Sequence, residues 1–457
     1  MIIKKVFIIK NLKALIFLFF LFLILINSQD IYAEEYEGIT ILSEQVTSEF
    51  PEGIRFEANF YSEEKLSDVR VFFQPISSDS PQYAYLDLFS SEFSHNGDLF
   101  YRTDGNRYIP PGTVYDYWYV ITTQSGTEIK TKLKSFTYID SRFEWESVKE
   151  GPITVMYHGP MKSRAITLAK AAEESLEIMG PIIGSEIKTP IVVTLYNNNS
   201  EMIGAVKSKS MTTSRELITE GQAFHSHGVV LVLAGRRDIG TITHEITHIL
   251  VGRSAGSSGQ VPLWLNEGLA EYGNMDKSIS YIRFLEWAMD TNRLLPFSHL
   301  KTFPGDPNLI LVAYGQSRSM VKFMLDNYGP KKMSNLMSEL KSVSDIDKAI
   351  KKIYGKDLLT LESDWRRSIG APEYVPPEPK LNKIETLDKQ NEYKILTLSP
   401  DEEGTDISSV PSSDSNEVTN KNSDKTVGCS SSGRSDLSLI SALILILIFY
   451  RRDRNKI

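Results

Sequence analysis

The chain has 457 residues, of which 41% are hydrophobic and 24% charged, so it is long enough for two or three globular domains with a sizeable core. Its 50 basic and 58 acidic residues give a formal net charge of -8, which argues against a nucleic-acid partner. The single cysteine, Cys429, excludes an intramolecular disulfide framework and a zinc site built from cysteines. Any metal ligands must therefore be His, Asp or Glu side chains.

Residues 1–33 have the pattern of a secretory signal peptide. Four lysines precede an apolar run from Ala14 to Ile26. This run is short for a membrane-spanning helix. Ala33 offers a small residue for cleavage, and an uncleaved anchor is the alternative interpretation. In both cases the positive flank predicts that the rest of the chain is exported.

Residues 34–142 are predicted to form an all-β sandwich of the immunoglobulin or fibronectin type. Short alternating strands are separated by turn sequences such as Asn96-Gly97. The predicted strands are Ile54–Tyr61, Val69–Phe73, Val114–Ile121 and Lys132–Tyr138. No catalytic constellation is visible here, and the tyrosines of these strands are interpreted as core residues and cross-strand pairs rather than as a ligand-binding face.

Residues 143–370 are predicted to form an α+β domain. Three apolar segments (Ile153–Tyr157, Pro190–Leu195 and Gly228–Leu233) predict strands, and a helix is expected over about Lys162–Met179. After the third strand the hydrophobic period becomes helical almost to Ile369. A small sheet followed by a run of helices is typical of the α+β class.

The sequence Thr243-His244-Glu245-Ile246-Thr247-His248 follows the third predicted strand. Residues four apart lie one turn above each other on a helix, so His244 and His248 can reach one metal ion. Glu245 would then lie close enough to take a proton from a water molecule at that ion, as a general base. Two histidines at this spacing also occur by chance on helix surfaces, so the motif alone is a weak signal.

The segment Trp264-Leu265-Asn266-Glu267-Gly268 supplies the context, because zinc in a catalytic site needs a third protein ligand. Together the two segments resemble the gluzincin, or peptidase-MA-like, zinc metallopeptidases of the HExxH-x18-E type. The resemblance implies one Zn²⁺ per chain, held by His244, His248 and Glu267. It also implies that Glu271, one helical turn later, accepts a hydrogen bond from His244 and fixes its orientation.

A second similarity to small peptidase-MA proteins lies in Tyr314-Gly315-Gln316-Ser317, within a predicted helix that runs towards Tyr328. Tyr314 is a candidate donor to the oxyanion that forms at the scissile carbonyl. A buried packing residue is the alternative interpretation of Tyr314, and the sequence does not decide between the two.

One departure from the family narrows the expected specificity. Aminopeptidases of this type bind the free amine of the substrate through the Glu of a Gly-x-Met-Glu-Asn strand, whereas Gly221-Gln222-Ala223-Phe224-His225 carries no acidic residue. We therefore expect an endopeptidase, or a peptidase of narrow specificity, acting on peptides or proteins. The alternative hypothesis is a catalytically silent peptidase fold that serves as a surface binding or adhesion protein.

The remaining residues are predicted to attach this body to a membrane. Residues 371–427 are rich in Pro and then in Ser, Asp, Asn and Thr, which predicts a disordered stalk. In 428–457, an apolar run from Leu437 to Tyr450 precedes a basic cluster, which predicts a cell-surface protein anchored in the membrane with a cytoplasmic tail. Cys429 resembles the processing point of bacterial C-terminal sorting tails and is a candidate processing or lipidation site; an inert thiol beside a simple anchor is the alternative.

Overall fold

The structure, a computed structural model, describes residues 34–206, 220–256, 260–276, 281–304 and 306–376. All of them fall within one compact unit. The predicted signal peptide, the stalk from residue 377 onwards, Cys429 and the C-terminal apolar run lie outside the described residues. Within the described ranges, no helix combines the length and the hydropathy that crossing a bilayer requires.

The front region consists of two antiparallel sheets. Sheet I has the strand order β1-β2-β3-β7-β6, and sheet II has the order β10-β8-β4-β5 with β9 paired to β8. The strands are β1 Glu34–Tyr36, β2 Ile39–Glu49, β3 Gly53–Ser62, β4 Leu66–Pro75, β5 Gln82–Tyr85, β6 Asp87–Ser90, β7 Ser94–Arg102, β8 Thr113–Thr123, β9 Glu128–Lys130 and β10 Lys134–Tyr138. The predicted β-rich front region is thus confirmed, while its likeness to immunoglobulin or fibronectin domains stays a prediction.

Aromatic side chains fill the space between the two sheets. Strand residues alternate between the two faces of a sheet, and β8 follows this rule along its whole length, with every second residue buried. Phe56 of sheet I contacts Phe73 of sheet II with ring centroids 5.6 Å apart. Likewise, Phe60 of sheet I meets the ring of Tyr119 of sheet II edge-on at 6.0 Å. These contacts give the front region a core without a disulfide.

On the outer face of sheet II the aromatic residues pair with one another. Phe72 stacks on both Tyr83 and Trp118, at 5.3 and 5.5 Å between ring centroids. The ammonium group of Lys130 lies 4.5 Å from the Trp118 ring centroid. The faces of these rings are therefore occupied by their neighbours, as expected for cross-strand pairs.

A third sheet begins the second region. Its strand order is β11-β12-β13-β15-β14, in which β12, β13 and β15 run parallel and the two outer strands pair antiparallel to their neighbours. The strands are β11 Glu146–Glu150, β12 Ile153–Tyr157, β13 Ile191–Tyr196, β14 Gly221–Phe224 and β15 Val229–Leu233. The three central strands were predicted from the sequence, whereas β11 and β14 were not.

Two helices connect strands of the third sheet, and helices account for most of the described chain after its last strand. They are α1 Lys162–Ile183, α2 Asn199–Ile203, α3 Asp238–Ala255, α4 Leu263–Gly273, α5 Tyr281–Asp290, α6 Pro307–Leu340, α7 Ile346–Tyr354 and α8 Leu358–Ser368. Helix α6 is interrupted at Gly329, where a positive φ of 76° precedes Pro330. The α1 helix extends beyond its predicted end at Met179 because Pro181 is accommodated within it.

The third sheet is covered on both faces. Val230 and Val232 of β15 belong to a core shared with the helices, whereas Val229 and Leu231 belong to the core of the sandwich. Hydrogen bonds reinforce the second contact: the Thr194 hydroxyl donates to the carbonyl of Pro111 at 2.9 Å. The sandwich is therefore packed directly on the sheet that carries the functional helices.

Candidate metal centre

Helix α3 is fixed at its start and along its buried face. Asp238 in its first turn is buried, accepts a hydrogen bond from the backbone N–H of Gly235 at 3.1 Å and is ion-paired with Arg164 of α1. A carboxylate at this end of a helix is also favoured by the helix dipole. Further along, Ile242 and Ile246 are fully buried in the helical core. His244 and His248 lie on the opposite side of α3.

Helix α4 brings the second half of the site to α3. A Cβ atom at Gly268 would lie 2.6 Å from the carbonyl oxygen of Ser317, so only glycine permits this approach to α6. Trp264, Leu265 and Leu269 of α4 are fully buried. Glu267 and Glu271, one turn apart, consequently lie opposite the two histidines of α3.

Three side chains converge at this point. The Nε2 atoms of His244 and His248 lie 3.1 Å apart, and the Glu267 Oε2 lies 3.4 Å from the first and 3.7 Å from the second. One ligand atom of each residue lies within 4.8 Å of the others. We call these three residues the metal centre.

The chemistry of the metal centre fits a zinc ion. The Oε2 of Glu267 is buried and has no hydrogen-bond partner among the described residues. A buried carboxylate oxygen in this state is costly unless a cation occupies the space in front of it. Two imidazole nitrogens and one carboxylate oxygen are the donor set of many catalytic zinc sites, which keep a fourth position open for water.

The pKa shifts of Glu267 and His244 also fit a cation at this position. Burial alone would raise the pKa of Glu267, but His248 and His244 outweigh it and lower that pKa. Burial alone would lower the pKa of His244, but the nearby Glu267 and Glu271 raise it well above its ordinary value. In this site Glu267 is therefore most stable as a carboxylate with a positive charge beside it. A metal ion supplies that charge when the imidazoles are neutral.

Each histidine is held by a second residue through its other ring nitrogen. His244 Nδ1 lies 3.0 Å from the Oε1 of Glu271, which is buried. His248 Nδ1 lies 2.9 Å from the side-chain oxygen of Asn266. Because both partners accept, each Nδ1 carries the proton and each Nε2 presents a lone pair to the centre. Glu271 was expected from the sequence; Asn266 was missed, although it is the neighbour of the third ligand in the same motif.

Glu245 is half-buried and lies against strand β14. A Cβ atom at Gly221 would lie 2.8 Å from the Oε1 of Glu245, so a side chain there would displace the carboxylate. Burial raises the pKa of Glu245, while the nearby His248 and His244 and the backbone N–H of Ala223 act in the opposite direction. The carboxylate is therefore close to both histidines without being one of the three converging groups.

Tyr314 lies on α6 and faces the acidic groups of the site. Burial raises the pKa of Tyr314 above its ordinary value, and the charges of Glu267, Glu271 and Glu245 raise it further. The ring also packs edge-on against Phe303, at 5.0 Å between centroids. Tyr314 is thus a packing residue whose hydroxyl stays protonated at neutral pH, and its role as an oxyanion donor stays a prediction.

The family model of the Peptidase MA superfamily matches residues 171–371. The predicted resemblance to peptidase-MA metallopeptidases is confirmed for this region. The match contains all three residues of the metal centre together with Glu245, Glu271 and Tyr314. It starts within α1, so the front sandwich lies outside it.

Similarity to solved structures is distant. An M1 zinc metallopeptidase from Deinococcus radiodurans is 12% identical, with a TM-score of 0.34, over 76% of this chain and 97% of that one. A Br derivative of BhCBM56 is 8% identical, with a TM-score of 0.16, over 23% of this chain and 97% of that one. A polysaccharide deacetylase from Bacillus cereus, BC0361, is 10% identical, with a TM-score of 0.19, over 36% of this chain and 53% of that one. Scores this low bear on neither fold nor function, and no curated protein sequence matches the chain.

Proposed function

We propose that this protein is a zinc-dependent peptidase that hydrolyses internal peptide bonds. The observation that carries the proposal is the convergence of His244, His248 and Glu267 around one point, with the half-buried Glu245 beside it. The family match over residues 171–371 supports the same class of enzyme. One Zn²⁺ per chain would be held by the metal centre.

The bound zinc ion would supply a Lewis acid that polarises the scissile carbonyl and lowers the pKa of a water molecule. Glu245 would accept a proton from the attacking water and pass it to the leaving amine. Burial suits Glu245 to this task, because a carboxylate with a raised pKa is a stronger base than an ordinary glutamate. Glu271 and Asn266 would keep His244 and His248 in the tautomer that binds metal.

Tyr314 would donate a hydrogen bond to the oxyanion of the tetrahedral intermediate. Its raised pKa supports this role, since the hydroxyl stays protonated at neutral pH. The fixed ring, packed against Phe303, would hold the donor in place before the reaction begins.

An internal cleavage specificity is supported by strand β14. An aminopeptidase needs a carboxylate near this strand to bind the free amine, and β14 itself offers none. The nearest acidic residue along the chain, Glu220, is paired with Arg237 at 2.6 Å. At the other end of the strand, Phe224 packs on Tyr108 of the sandwich, with ring centroids 5.7 Å apart.

We further propose that the peptidase works outside the cytoplasm, attached to a membrane through its C-terminal segment. The support is the sequence alone: the signal-like residues 1–33, and the apolar run from Leu437 to Tyr450 followed by basic residues.

The test is a digestion of a diverse peptide library by the full zinc-loaded chain, read by mass spectrometry. We expect internal cuts from the wild type and none from Glu245→Gln, because the loss of a general base slows turnover by about 10²–10⁴-fold. The control is Glu174→Gln, which removes an exposed carboxylate from α1 and should cut like the wild type.

Stepwise loss of N-terminal residues would contradict the endopeptidase assignment. Equal cutting by wild type and Glu245→Gln would contradict the role of Glu245. An intact library in the presence of stoichiometric zinc would favour the alternative of a catalytically silent binding protein.

A further inference from the structure

The chain leaves α4 through a short segment, Asn274–Asp276, which we call the exit segment. It lies against α3, the helix that carries the two histidines. The backbone N–H of Met275 donates to the hydroxyl oxygen of Thr243 at 3.0 Å. Thr243 is fully buried, directly precedes His244, and its hydroxyl donates in turn to the carbonyl of Ile239 at 3.0 Å. The exit segment is therefore anchored to the buried face of α3.

Two glycines permit the close approach of the exit segment to α3. A Cβ atom at Gly240 would lie 2.7 Å from the Oδ1 of Asn274 and 2.5 Å from the Cβ of Asp276. A Cβ atom at Gly273, the last residue of α4, would lie 2.6 Å from the hydroxyl oxygen of Thr247. A side chain at either glycine would push the two elements apart, so the end of α4 is held on α3 in one position.

The side chain of Asn274 connects this contact to the metal centre. Its Nδ2 donates to the Oε2 of Glu271 at 3.4 Å, and its Oδ1 accepts a hydrogen bond from the backbone N–H of Asp276 at 2.9 Å. The other oxygen of Glu271, Oε1, lies 3.0 Å from the Nδ1 of His244. Because Glu271 is buried, groups of the protein rather than bulk water orient its carboxylate.

We propose that Asn274 is a positioning residue that acts through Glu271 to orient His244 for metal binding. The order of contacts is Asn274 to Glu271 to His244, so Asn274 does not need to touch the metal or the substrate. The proposal rests on the metal site of the proposed function, but not on peptide hydrolysis.

The amide of Asn274 is held in place before any metal binds. The N–H of Asp276 and the bare backbone of Gly240 fix its Oδ1, which leaves Nδ2 facing Glu271. An amide N–H can only donate, so the Oε2 of Glu271 is an acceptor in this contact. The Oε1 is then left to accept the Nδ1 proton of His244, which keeps the Nε2 lone pair available for a metal.

The experiment measures the zinc affinity of the full chain by competition with a chromophoric chelator, starting from the metal-free protein. We expect Asn274→Ala to bind zinc about tenfold more weakly, at the lower end of the range for partners of metal ligands. The matched control is Asn198→Ala. Asn198 also donates to a glutamate, Glu201, at 2.7 Å and accepts a backbone N–H, so its variant loses the same two kinds of hydrogen bond outside the metal centre. It should bind zinc like the wild type.

A double-mutant cycle tests whether the effect passes through Glu271. Residues in one hydrogen-bond network are not additive, so Asn274→Ala should weaken zinc binding much less in a Glu271→Ala background than in the wild type. Full additivity would overturn the proposal, because it would mean that Asn274 acts on the metal centre by another route.

Cobalt provides a readout that a purely structural role would not change. The visible absorption of bound Co²⁺ depends on the geometry of its ligands, so the spectrum of cobalt-loaded Asn274→Ala should differ from that of the wild type. The spectrum of Asn198→Ala should match the wild type. Identical spectra of all three proteins would overturn the orienting role of Asn274.

The zinc affinities separate the remaining outcomes. An unchanged zinc affinity in Asn274→Ala, or an equal fall in Asn274→Ala and Asn198→Ala, would overturn the proposal. Failure of the proposed function is distinguishable. A wild type that binds no zinc would overturn the metal site and this proposal together, whereas a wild type that binds zinc and cleaves no peptide leaves this measurement intact.

Discussion

Two polar clusters near the third sheet each contain a buried carboxylate oxygen, and they differ in whether that oxygen has a hydrogen-bond donor. The first, which we call the paired cluster, consists of Asp140, Arg142 and Tyr196 between the sandwich and the sheet. Asp140 is fully buried and accepts hydrogen bonds from Arg142 Nε at 2.9 Å and from the Tyr196 hydroxyl at 3.0 Å. The second is the metal centre, where the Oε2 of Glu267 has no hydrogen-bond donor among the described residues.

This difference assigns a structural role to the paired cluster and a chemical role to the metal centre. In the paired cluster the buried carboxylate of Asp140 faces two donors that offset the cost of its burial, so the cluster joins two regions. In the metal centre two imidazole nitrogens and a carboxylate oxygen face one another, an arrangement that an added cation satisfies. Both clusters contain a buried carboxylate oxygen, so burial alone does not identify a functional site.

The largest effect is expected at the third ligand. Glu267→Gln should lower zinc affinity by more than about 100-fold, because it removes the charged ligand itself, whereas outer partners already account for 10–100-fold. The control is Glu362→Gln. Glu362 is more deeply buried than Glu267 and is paired with Arg366 at 2.8 Å, so its variant should lose stability and keep its zinc affinity. Unchanged zinc binding in Glu267→Gln would remove Glu267 from the site.

A smaller effect is expected at the partner of the second histidine. Asn266→Ala removes the acceptor 2.9 Å from His248 Nδ1 and should weaken zinc binding by about 10–100-fold. Asn327→Ala is the control, because Asn327 is an exposed residue that bonds only to the backbone of its own helix in the described contacts. Equal zinc affinities of these two variants, measured by chelator competition, would show that His248 needs no such partner.

Substitution in the paired cluster should lower the stability of the protein and leave zinc binding unchanged. Asp140→Ala leaves the buried Tyr196 hydroxyl without its acceptor and should lower the free energy of unfolding by about 1–3 kcal/mol, with no change in zinc affinity. Asp104→Ala breaks an exposed pair with Arg102 in the front region and should change the free energy of unfolding far less than Asp140→Ala does. Both variants are measured by denaturant unfolding and by zinc titration. A loss of zinc binding in Asp140→Ala would contradict the distinction between the two clusters.

The smallest effect is expected from a buried histidine between the two regions. Burial lowers the pKa of His227 from 6.5 to about 4, so the folded protein keeps it neutral while the unfolded chain takes up a proton below about pH 6.5. Stability contributed by this group is therefore lost as the pH falls from about 6.5 towards 4. His227→Gln should show a shallower loss of stability over that range than the wild type. Parallel pH curves for the two proteins would show that His227 is not held neutral.

The sequence predicted those parts of the site that depend on spacing along one helix. His244, Glu245 and His248 share one turn of α3, and Glu267 and Glu271 share one turn of α4, so helical periodicity alone relates the members of each set. That the two helices meet was inferred from a resemblance, and the close contact of Gly268 with α6 gives the physical reason.

The parts that were missed depend on packing between elements. Strand β14 has only four residues, all of them half-buried, so it lacks the alternation that reveals a strand. Tyr281 lies against Tyr314 because α5 packs on Gly315, and nothing in the local sequence around Tyr281 encodes that contact. The roles of the residues at the ends of the chain stay predictions.

The most direct test of the central claim is the zinc content of three purified full-length proteins after loading and removal of free metal: the wild type, His248→Ala and Asp140→Ala. We expect one zinc ion per chain in the wild type and in Asp140→Ala, and none retained by His248→Ala. Retention of zinc by His248→Ala, or a wild type that holds none, would contradict the assignment of the metal centre.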